Sequence, residues 1–323
     1  MRKVSIIGAG NVGATAAMEI AKMEITTEII LLDIKEGVAE GKAMDISQAC
    51  SILGINAKVI GVTNNYEALD GSDVIVITSG VPRKPGMTRE ELVGVNKGVI
   101  DSVMSNINKN VHNINDVIFV VVSNPMDTMT MEVAKFLKAE TTVDVKKHVI
   151  GMGNLLDSNR FKFNIAKKYQ EKFREPISLS DINAMVIGGH GDTTMIPIIE
   201  TATYRGEPIT YFFEYEEIKD IIDKTKRGGA ILTGMLGTSA WEGPAAAIAV
   251  TVKAILNNES KVIPCSVWHE GHNCFIGMPA MIANNGIGEI FYSYTQLHGL
   301  QGVVNDFNKS ITAVKEVNKA LNN

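Results

Sequence analysis

Short apolar runs alternate with helical apolar spacing along the first half of the chain. In "GNVGATAAMEIAKM" the apolar residues Val12, Ala16, Ile20 and Met23 follow the spacing of one helix face. Further helices are predicted in "AEGKAMDISQACSIL" and from residue 88 to about 111, and strands in "KVSIIGAG", "EIILLDI", "AKVIGVT", "SDVIVITSG", "DVIFVVVSNP" and "HVIGMG". Because these strands are apolar on both faces, the pattern predicts an α/β domain over residues 1–150, with a doubly wound parallel Rossmann sheet.

The second half of the chain, residues 151–323, has a mixed pattern that predicts an α+β domain. Helices are predicted in "LLDSNRFKFNIAKKYQ", "YEEIKDIIDKTKRGGAILTGM" and "AAAIAVTVKAIL", and in a C-terminal stripe from Val304 to Val317. Strands are predicted in "INAMVIGGHGDTTMIPIIE", broken by a glycine-rich turn, and in "VIPCSVWH" and "CFIGMPAMIANNGIGEI". "GEPITYFF" is predicted to be a loop. No low-complexity linker separates the halves, so we expect them to pack tightly.

Composition narrows the classes of protein that remain. The chain has 323 residues, of which 45% are apolar and 21% charged, with a net charge of −5. That balance is typical of a globular protein and argues against nucleic acid as a partner. The apolar runs are too short for a membrane span or a signal peptide. Three cysteines without C-x-x-C spacing suit a reducing, cytoplasmic location.

A glycine motif and an acid predict a dinucleotide site. In "GAGNVG", formed by Gly8, Ala9, Gly10, Asn11, Val12 and Gly13, the glycines follow the G-x-G-x-x-G pattern between a predicted strand and helix. Asp33 ends the next strand, 20 positions after Gly13, where the fingerprint places an acid that binds the ribose hydroxyls. Since its charge would repel a 2′-phosphate, the pattern favours NAD over NADP.

Residues with candidate catalytic roles lie at the end of a predicted strand, in a glycine-rich turn and on one predicted helix. Val122, Ser123 and Asn124 end the fifth strand, so we expect them near the nicotinamide and the substrate. His190, in the glycine-rich turn "IGGHGDTT", suits a general base near neutral pH. Asp157 and Arg160 lie three positions apart on one predicted helix, where the first could orient a histidine and the second could grip a carboxylate.

A basic loop in this acidic chain predicts an anionic ligand. "TSGVPRKPGMTREE" carries Arg83, Lys84 and Arg89 among prolines and glycines, directly after a predicted strand. An acidic protein that concentrates arginines in one loop favours a local negative ligand there. We expect the loop to close over the site and exclude water.

These residues together carry a family resemblance. The motifs run through almost the whole chain in order, as "GAGNVG", "LLDI", "ITSGVPRKPGMTREELVGVN", "VSNPMDTMT", "GMGNLLDSNRFKF" and "IGGHGDTTMIP". The chain resembles the lactate/malate dehydrogenase family, and within it the malate dehydrogenases of lactate-dehydrogenase type. The resemblance implies reversible hydride transfer between (S)-malate and NAD, which gives oxaloacetate and NADH. This is a tricarboxylic acid cycle reaction, and the resemblance implies a homodimer or homotetramer.

The resemblance also implies a role for each site residue. His190 would exchange the proton, and Asp157 would hold its ring. Arg160 would bind the C1 carboxylate and Arg89 would polarise the carbonyl, while Asn124 and Asn96 would lie near substrate and cofactor. Arg83 replaces the glutamine that lactate dehydrogenases carry here, and it would pair with the distal carboxylate of a small dicarboxylate. An arginine left unpaired over a methyl group would be costly.

Two alternatives remain open. One is a lactate or broader 2-hydroxyacid dehydrogenase, and the other is a non-catalytic NAD-binding sensor or scaffold. Trp241 and Glu242 stand where relatives often have two tyrosines, which leaves the role of this pocket wall open. His269, His272 and Cys274 cluster in "WHEGHNC", but without a full set of metal ligands by spacing we expect a surface hairpin and no metal.

Overall fold

The computed structural model describes residues 2–81, 89–292 and 300–321, with residues 89 and 90 described by their backbone alone. Arg83, Lys84 and the side chain of Arg89 therefore lie outside the described residues. Within the described ranges, no helix is both long enough and apolar enough to cross a membrane.

A parallel sheet with helices on both faces forms the first half. Its strands lie in the order β3-β2-β1-β4-β5-β6, and each neighbouring pair is parallel. The doubly wound prediction is confirmed. The elements are β1 (Lys3–Ile7), α1 (Asn11–Lys22), β2 (Glu28–Asp33), α2 (Val38–Leu53), β3 (Lys58–Thr63), β4 (Val74–Ile77), α3 (Arg89–Asn110), β5 (Ile118–Val121), α4 (Met126–Glu140), α5 (Val145–His148) and β6 (Val149–Gly151).

The second half combines helices with antiparallel strands. Its helices are α6 (Asn154–Phe173), α7 (Tyr215–Lys226), α8 (Gly228–Leu236), α9 (Glu242–Leu256) and α10 (Gln301–Ala320). Its strands are β7 (Ile182–Asn183), β8 (Val186–Gly188), β9 (Met195–Pro197), β10 (Thr203–Tyr204), β11 (Glu207–Pro208), β12 (Lys261–His269), β13 (Cys274–Ala283) and β14 (Gly286–Ile290).

The two halves share one sheet. β12 pairs with β6 through Ser266 and Gly151, and the sheet continues through β13 to β8 and β9 with antiparallel neighbours. Helix α1 of the first half also packs against α9 of the second. Buried apolar side chains form cores on both faces of the sheet. The expected tight packing of the halves is confirmed, and it places the end of β5 beside the β8–β9 turn.

Two local predictions were wrong. The segment from Tyr215 to Met235 was predicted as one helix, but α7 ends and α8 begins around Arg227, whose backbone has φ −88° and ψ 3°. The pair Gly228–Gly229 that follows has little preference for continuing a helix. The predicted loop around Glu207 contains the short strand β11, which pairs with β10.

Candidate active site

The turn between β1 and α1 accepts glycine alone at two positions. Gly8 has φ +102°, and a Cβ there would lie 2.8 Å from Thr78 Oγ1. A Cβ on Gly13 would lie 1.9 Å from the Gly8 carbonyl oxygen, so helix and strand meet here without room for a side chain. At Gly10, by contrast, no described heavy atom lies within 4 Å of an added Cβ. The backbone at Gly10 therefore faces open space.

Asp33 closes the same turn from the end of β2. Its Oδ2 accepts the Ala9 N–H at 2.8 Å, and its Oδ1 accepts the Lys35 N–H at 3.0 Å. These bonds fix the carboxylate at the rim of the turn, while the second lone pair of each oxygen can accept another donor. Asp33 thus contacts the glycine motif, and its role as the acceptor for the ribose hydroxyls stays a prediction.

A cleft of about 550 Å³ opens at this edge of the sheet. The cleft is lined by Gly8, Gly10 and Asp33, and also by Gly80, Val81 and Val95. Asn11, Val12 and Gly13 open α1, and no side chain within the described ranges caps that helix, so its first N–H groups can bind an anion. The free space at Gly10, these amides and the carboxylate fit the pyrophosphate and ribose of NAD.

Residues at the ends of β4 and β5 are tied together by hydrogen bonds. Asn96, buried on α3, accepts the Val81 N–H at 2.8 Å and donates to the Asn124 carbonyl at 2.6 Å. The buried Ser123 hydroxyl donates to the Ser79 carbonyl. Asn124 is exposed and Val122 half-buried. Asn96 and Ser123 thus use their side chains to join backbone segments, and Asn124 leaves its own directed outward.

His190, Asp157 and Arg160 meet across two elements. His190, in the turn between β8 and β9, has its Nδ1 2.7 Å from Asp157 Oδ2 on α6, and Asp157 is 0% exposed. Arg160 lies one helical turn on, with Nη1 3.3 Å from Asp157 Oδ1. An ionised Asp157 accepts the Nδ1 proton, so Nε2 of the neutral ring is left to exchange a proton with a ligand.

The electrostatics of His190 favour the protonated ring. Burial alone would lower the pKa of His190, but the charge of Asp157 and its hydrogen bond, together with Asp127, outweigh that effect. Arg160 acts in the opposite direction. The pKa of His190 is therefore raised above its ordinary range, as suits a group that must give a proton as well as take one.

Sequence reasoning did not find a second carboxylate behind His190. Asp127, buried in the first turn of α4, accepts the His190 N–H with Oδ2 at 2.7 Å and the Ser266 hydroxyl with Oδ1 at 2.6 Å. Burial raises the pKa of Asp127. A Cβ on Gly153 would lie 2.7 Å from His190 Cγ, so the ring packs directly on the backbone before α6. The sequence did offer one signal for this carboxylate, because Asp127 lies in "SNPMD", close to Asn124.

Arg160 lies against the start of α8. A Cβ on Gly228 would be 3.2 Å from Arg160 Cδ, and one on Gly229 would be 3.7 Å from Nη1. Arg160 keeps 17% of its side chain exposed, enough for the guanidinium to meet a ligand. The double glycine that breaks the helix thus also makes room for this arginine.

The remaining sequence candidates lie at the start of α9 and at the β12–β13 hairpin. Trp241 precedes α9, and Glu242 is exposed in its first turn. The rings of His269 and His272 lie 4.7 Å apart at the β12–β13 hairpin, as the sequence predicted for a hairpin. In the part of the chain that the structure describes, no group of three or more His, Cys, Asp or Glu side chains could hold a metal ion.

Comparisons with known proteins agree with this geometry. Family models described as "lactate/malate dehydrogenase, NAD binding domain" and "lactate/malate dehydrogenase, alpha/beta C-terminal domain" match residues 2–151 and 155–318. The malate dehydrogenase of Flavobacterium frigidimaris is 49% identical, over 99% of this chain and 98% of the relative.

Solved structures of both kinds of dehydrogenase share the fold. The apo malate dehydrogenase of Picrophilus torridus has a TM-score of 0.89 and 35% identity, covering 99% of this chain and 97% of that one. The lactate dehydrogenase of Cryptosporidium parvum, complexed with lactic acid and NAD, has a TM-score of 0.89 and 30% identity, covering 100% and 98%. Fold likeness alone therefore does not separate the two substrates.

Proposed function

We propose, since the chain belongs to the lactate/malate dehydrogenase family, that this NAD-dependent oxidoreductase interconverts (S)-malate and oxaloacetate. One observation carries the proposal: Asp157 contacts both His190 and Arg160, in a chain whose β1–α1 turn and Asp33 border a cleft that fits NAD. A proton acceptor, its orienting carboxylate and a carboxylate-binding cation are the groups that oxidation of a 2-hydroxy acid requires.

Each side chain has a part in the proposed reaction. Bound NAD would supply the acceptor for the hydride on C2 of the substrate. Nε2 of His190 takes the hydroxyl proton, and Asp157 stabilises the imidazolium that results. Arg160 binds the C1 carboxylate with its planar guanidinium. In the reverse direction protonated His190 gives its proton back to the carbonyl oxygen.

Residues 1–150 would bind the cofactor, and residues 151–323 would carry His190, Asp157 and Arg160. We assign Gly8 to Gly13, Asp33, Asn96 and Val122 to Asn124 to the cofactor side. Asn96 and Asn124 also border the substrate, Arg89 polarises the carbonyl, and Arg83 pairs with the distal carboxylate.

A homo-oligomer in the cytoplasm is also part of the proposal. Large apolar side chains are exposed on α2 and α8, including Met44, Ile52 and Met235. Exposed apolar surface of this kind favours burial against another chain. The buried free thiols Cys50, Cys265 and Cys274 suit a reducing compartment.

The substrate assignment is tested with oxaloacetate and pyruvate as oxidants of NADH. We expect a kcat/KM for oxaloacetate at least about a hundredfold above that for pyruvate, because a pocket arginine rejects a methyl group in place of a carboxylate. Arg83→Gln should cut the oxaloacetate value far more than the pyruvate value, and Lys84→Gln, its neighbour in the same loop, is the matched control. A preference for pyruvate, or equal losses on both substrates, would overturn the assignment.

A further inference from the structure

The C-terminal helix reaches the turn that carries His190. Ser310, on α10, is 3% exposed. Its Oγ accepts the Gly189 N–H at 2.9 Å and donates to the Thr194 carbonyl at 2.7 Å. One hydroxyl therefore joins the two arms of the turn, before and after His190.

The backbone of the turn lies directly against α10. A Cβ on Gly188 would be 3.0 Å from Ser310 Oγ, and a Cβ on Gly189 would be 2.8 Å from Val314 Cγ2. Contacts this close leave no room for a side chain on either glycine. The glycines before His190 thus allow the turn to sit within reach of the helix.

The hydroxyl of Ser310 donates differently from the hydroxyls of three buried threonines on other helices. Thr130, Thr225 and Thr251 are buried on α4, α7 and α9, and each donates to the carbonyl four residues earlier in its own helix. Such local bonds are the usual choice for a helical hydroxyl. Ser310 instead donates to a carbonyl 116 positions away in the chain.

Two successive amides are consequently held by two different elements. Ser310 of α10 binds the Gly189 N–H, and Asp127 of α4 binds the His190 N–H at 2.7 Å. The ring itself is held by Asp157 of α6. With backbone and ring both anchored, Nε2 has one defined position, which proton transfer to a bound substrate requires.

We propose that Ser310 is a positioning residue for His190, through which the C-terminal helix sets the geometry of proton transfer. The proposal rests on the proposed role of His190 as the acid–base group. Loss of the hydroxyl frees the Gly189 amide and the Thr194 carbonyl, and the turn relaxes. Nε2 then moves relative to the substrate, while the NAD cleft at the end of β1 is untouched.

Ser310→Ala tests this with Ser5→Ala as the matched control. Ser5 is buried on β1, and its hydroxyl bonds to Ser72 at 2.7 Å, away from the turn. We expect Ser310→Ala to lower kcat for oxaloacetate reduction about tenfold, since small misplacements of a reacting group are costly. The Kd for NADH should change less than twofold, and Ser5→Ala should keep kcat within twofold.

A double variant separates positioning from mere stabilisation. In a His190→Asn background, Ser310→Ala should leave the residual rate unchanged, because the group that it positions is gone. Equal fractional losses in both backgrounds would overturn the proposal, as would unchanged kcat with a lowered Tm in the single variant. Full activity of His190→Asn alone would instead refute the proposed function.

A conservative variant guards against misfolding of Ser310→Ala. Ser310→Cys keeps a side chain of similar size with a weaker hydrogen-bonding group. We expect its kcat to lie between those of the wild type and Ser310→Ala, with NADH binding retained. Wild-type kcat in the Cys variant, with a pH profile also unchanged, would contradict a positioning role.

Discussion

The environment of His190 is set by opposing effects within a few ångströms. Burial disfavours the imidazolium, whereas Asp157 at 2.7 Å from Nδ1 favours it. Asp127 adds negative charge on the backbone side of the same residue. Because the carboxylates outweigh burial, the ring holds its proton at a higher pH than an ordinary histidine.

This balance predicts opposite pH dependences for the two directions of reaction. Oxaloacetate reduction needs protonated His190, so its kcat/KM should be level at low pH and fall as pH rises through a pKa above 6.5. Malate oxidation needs the neutral ring and should rise over the same interval. The raised pKa also stabilises the fold below about pH 6.5, and that contribution is lost as pH rises through the folded-state pKa.

Initial rates measured in both directions at saturating cofactor, from pH 5 to 9, give the pH midpoint at which each activity rises or falls. His112→Gln provides a control, because His112 is exposed and lies 78 positions before His190 in the chain. A midpoint for oxaloacetate reduction at or below 6.5 would contradict the charge balance derived for His190.

At the scale of elements, the break between α7 and α8 lies beside Arg160. Lys224, Lys226 and Arg227 are good helix formers, whereas Gly228 and Gly229 directly after them are poor ones. The structure breaks the helix where Gly228 and Gly229 pass close to Arg160. Close approach of the α8 backbone therefore supports the side chain that we assign to the substrate carboxylate.

Gly228→Ala should disturb carboxylate binding through this contact. Its new methyl group would lie 3.2 Å from Arg160 Cδ, and the arginine would have to shift. We expect the KM for oxaloacetate to rise roughly threefold with a smaller change in kcat, the pattern for weakened binding of ground state and transition state alike. Steady-state kinetics at saturating NADH measure both constants.

Gly234→Ala is the control on the same helix. No heavy atom in the described ranges lies within 4 Å of its new methyl group. It should leave KM unchanged and stabilise the helix by up to about 1 kcal/mol, because alanine favours helices over glycine. Equal effects of the two variants on KM would exclude the contact with Arg160 as the cause.

At the scale of the whole molecule, one sheet joins the cleft that fits NAD to the turn that carries His190. The pairing of β6 with β12 carries the sheet from the first half into the second. Ser266, at that junction, donates its hydroxyl to Asp127, which also accepts the His190 N–H. The cleft and His190 therefore hold their relative positions through backbone hydrogen bonds and shared cores.

The exposed apolar side chains predict that the chain assembles with copies of itself. Ile52 on α2 is 86% exposed, and a charge placed at a chain–chain contact is costly. We expect Ile52→Glu to lower the molar mass measured by analytical ultracentrifugation, while Leu179→Glu, also at an exposed apolar position, leaves it unchanged. A monomeric wild-type protein would refute the proposed assembly.

The sequence by itself determined the parts that depend on local pattern. The alternation of apolar runs predicted the doubly wound sheet, and the spacing of Gly8, Gly10, Gly13 and Asp33 predicted the turn that the structure forms. The periodicity of strands and helices and the conformational freedom of glycine both act over a few neighbouring residues. Their effects can therefore be predicted from the sequence. His190 and Asp157 were also identified as candidates from their residue types and positions, and the family resemblance then implied their roles.

Only the tertiary structure decided which groups meet across long separations. Asp127 binds the His190 amide 63 positions away, Ser266 binds Asp127 from 139 positions away, and Ser310 binds Gly189 from 121 positions away. Serines and aspartates with free hydrogen-bonding groups occur throughout the chain, and nothing in their type marks these partners. Their roles arise because the sheet and its packed helices bring these segments together, and burial then makes each hydrogen bond necessary.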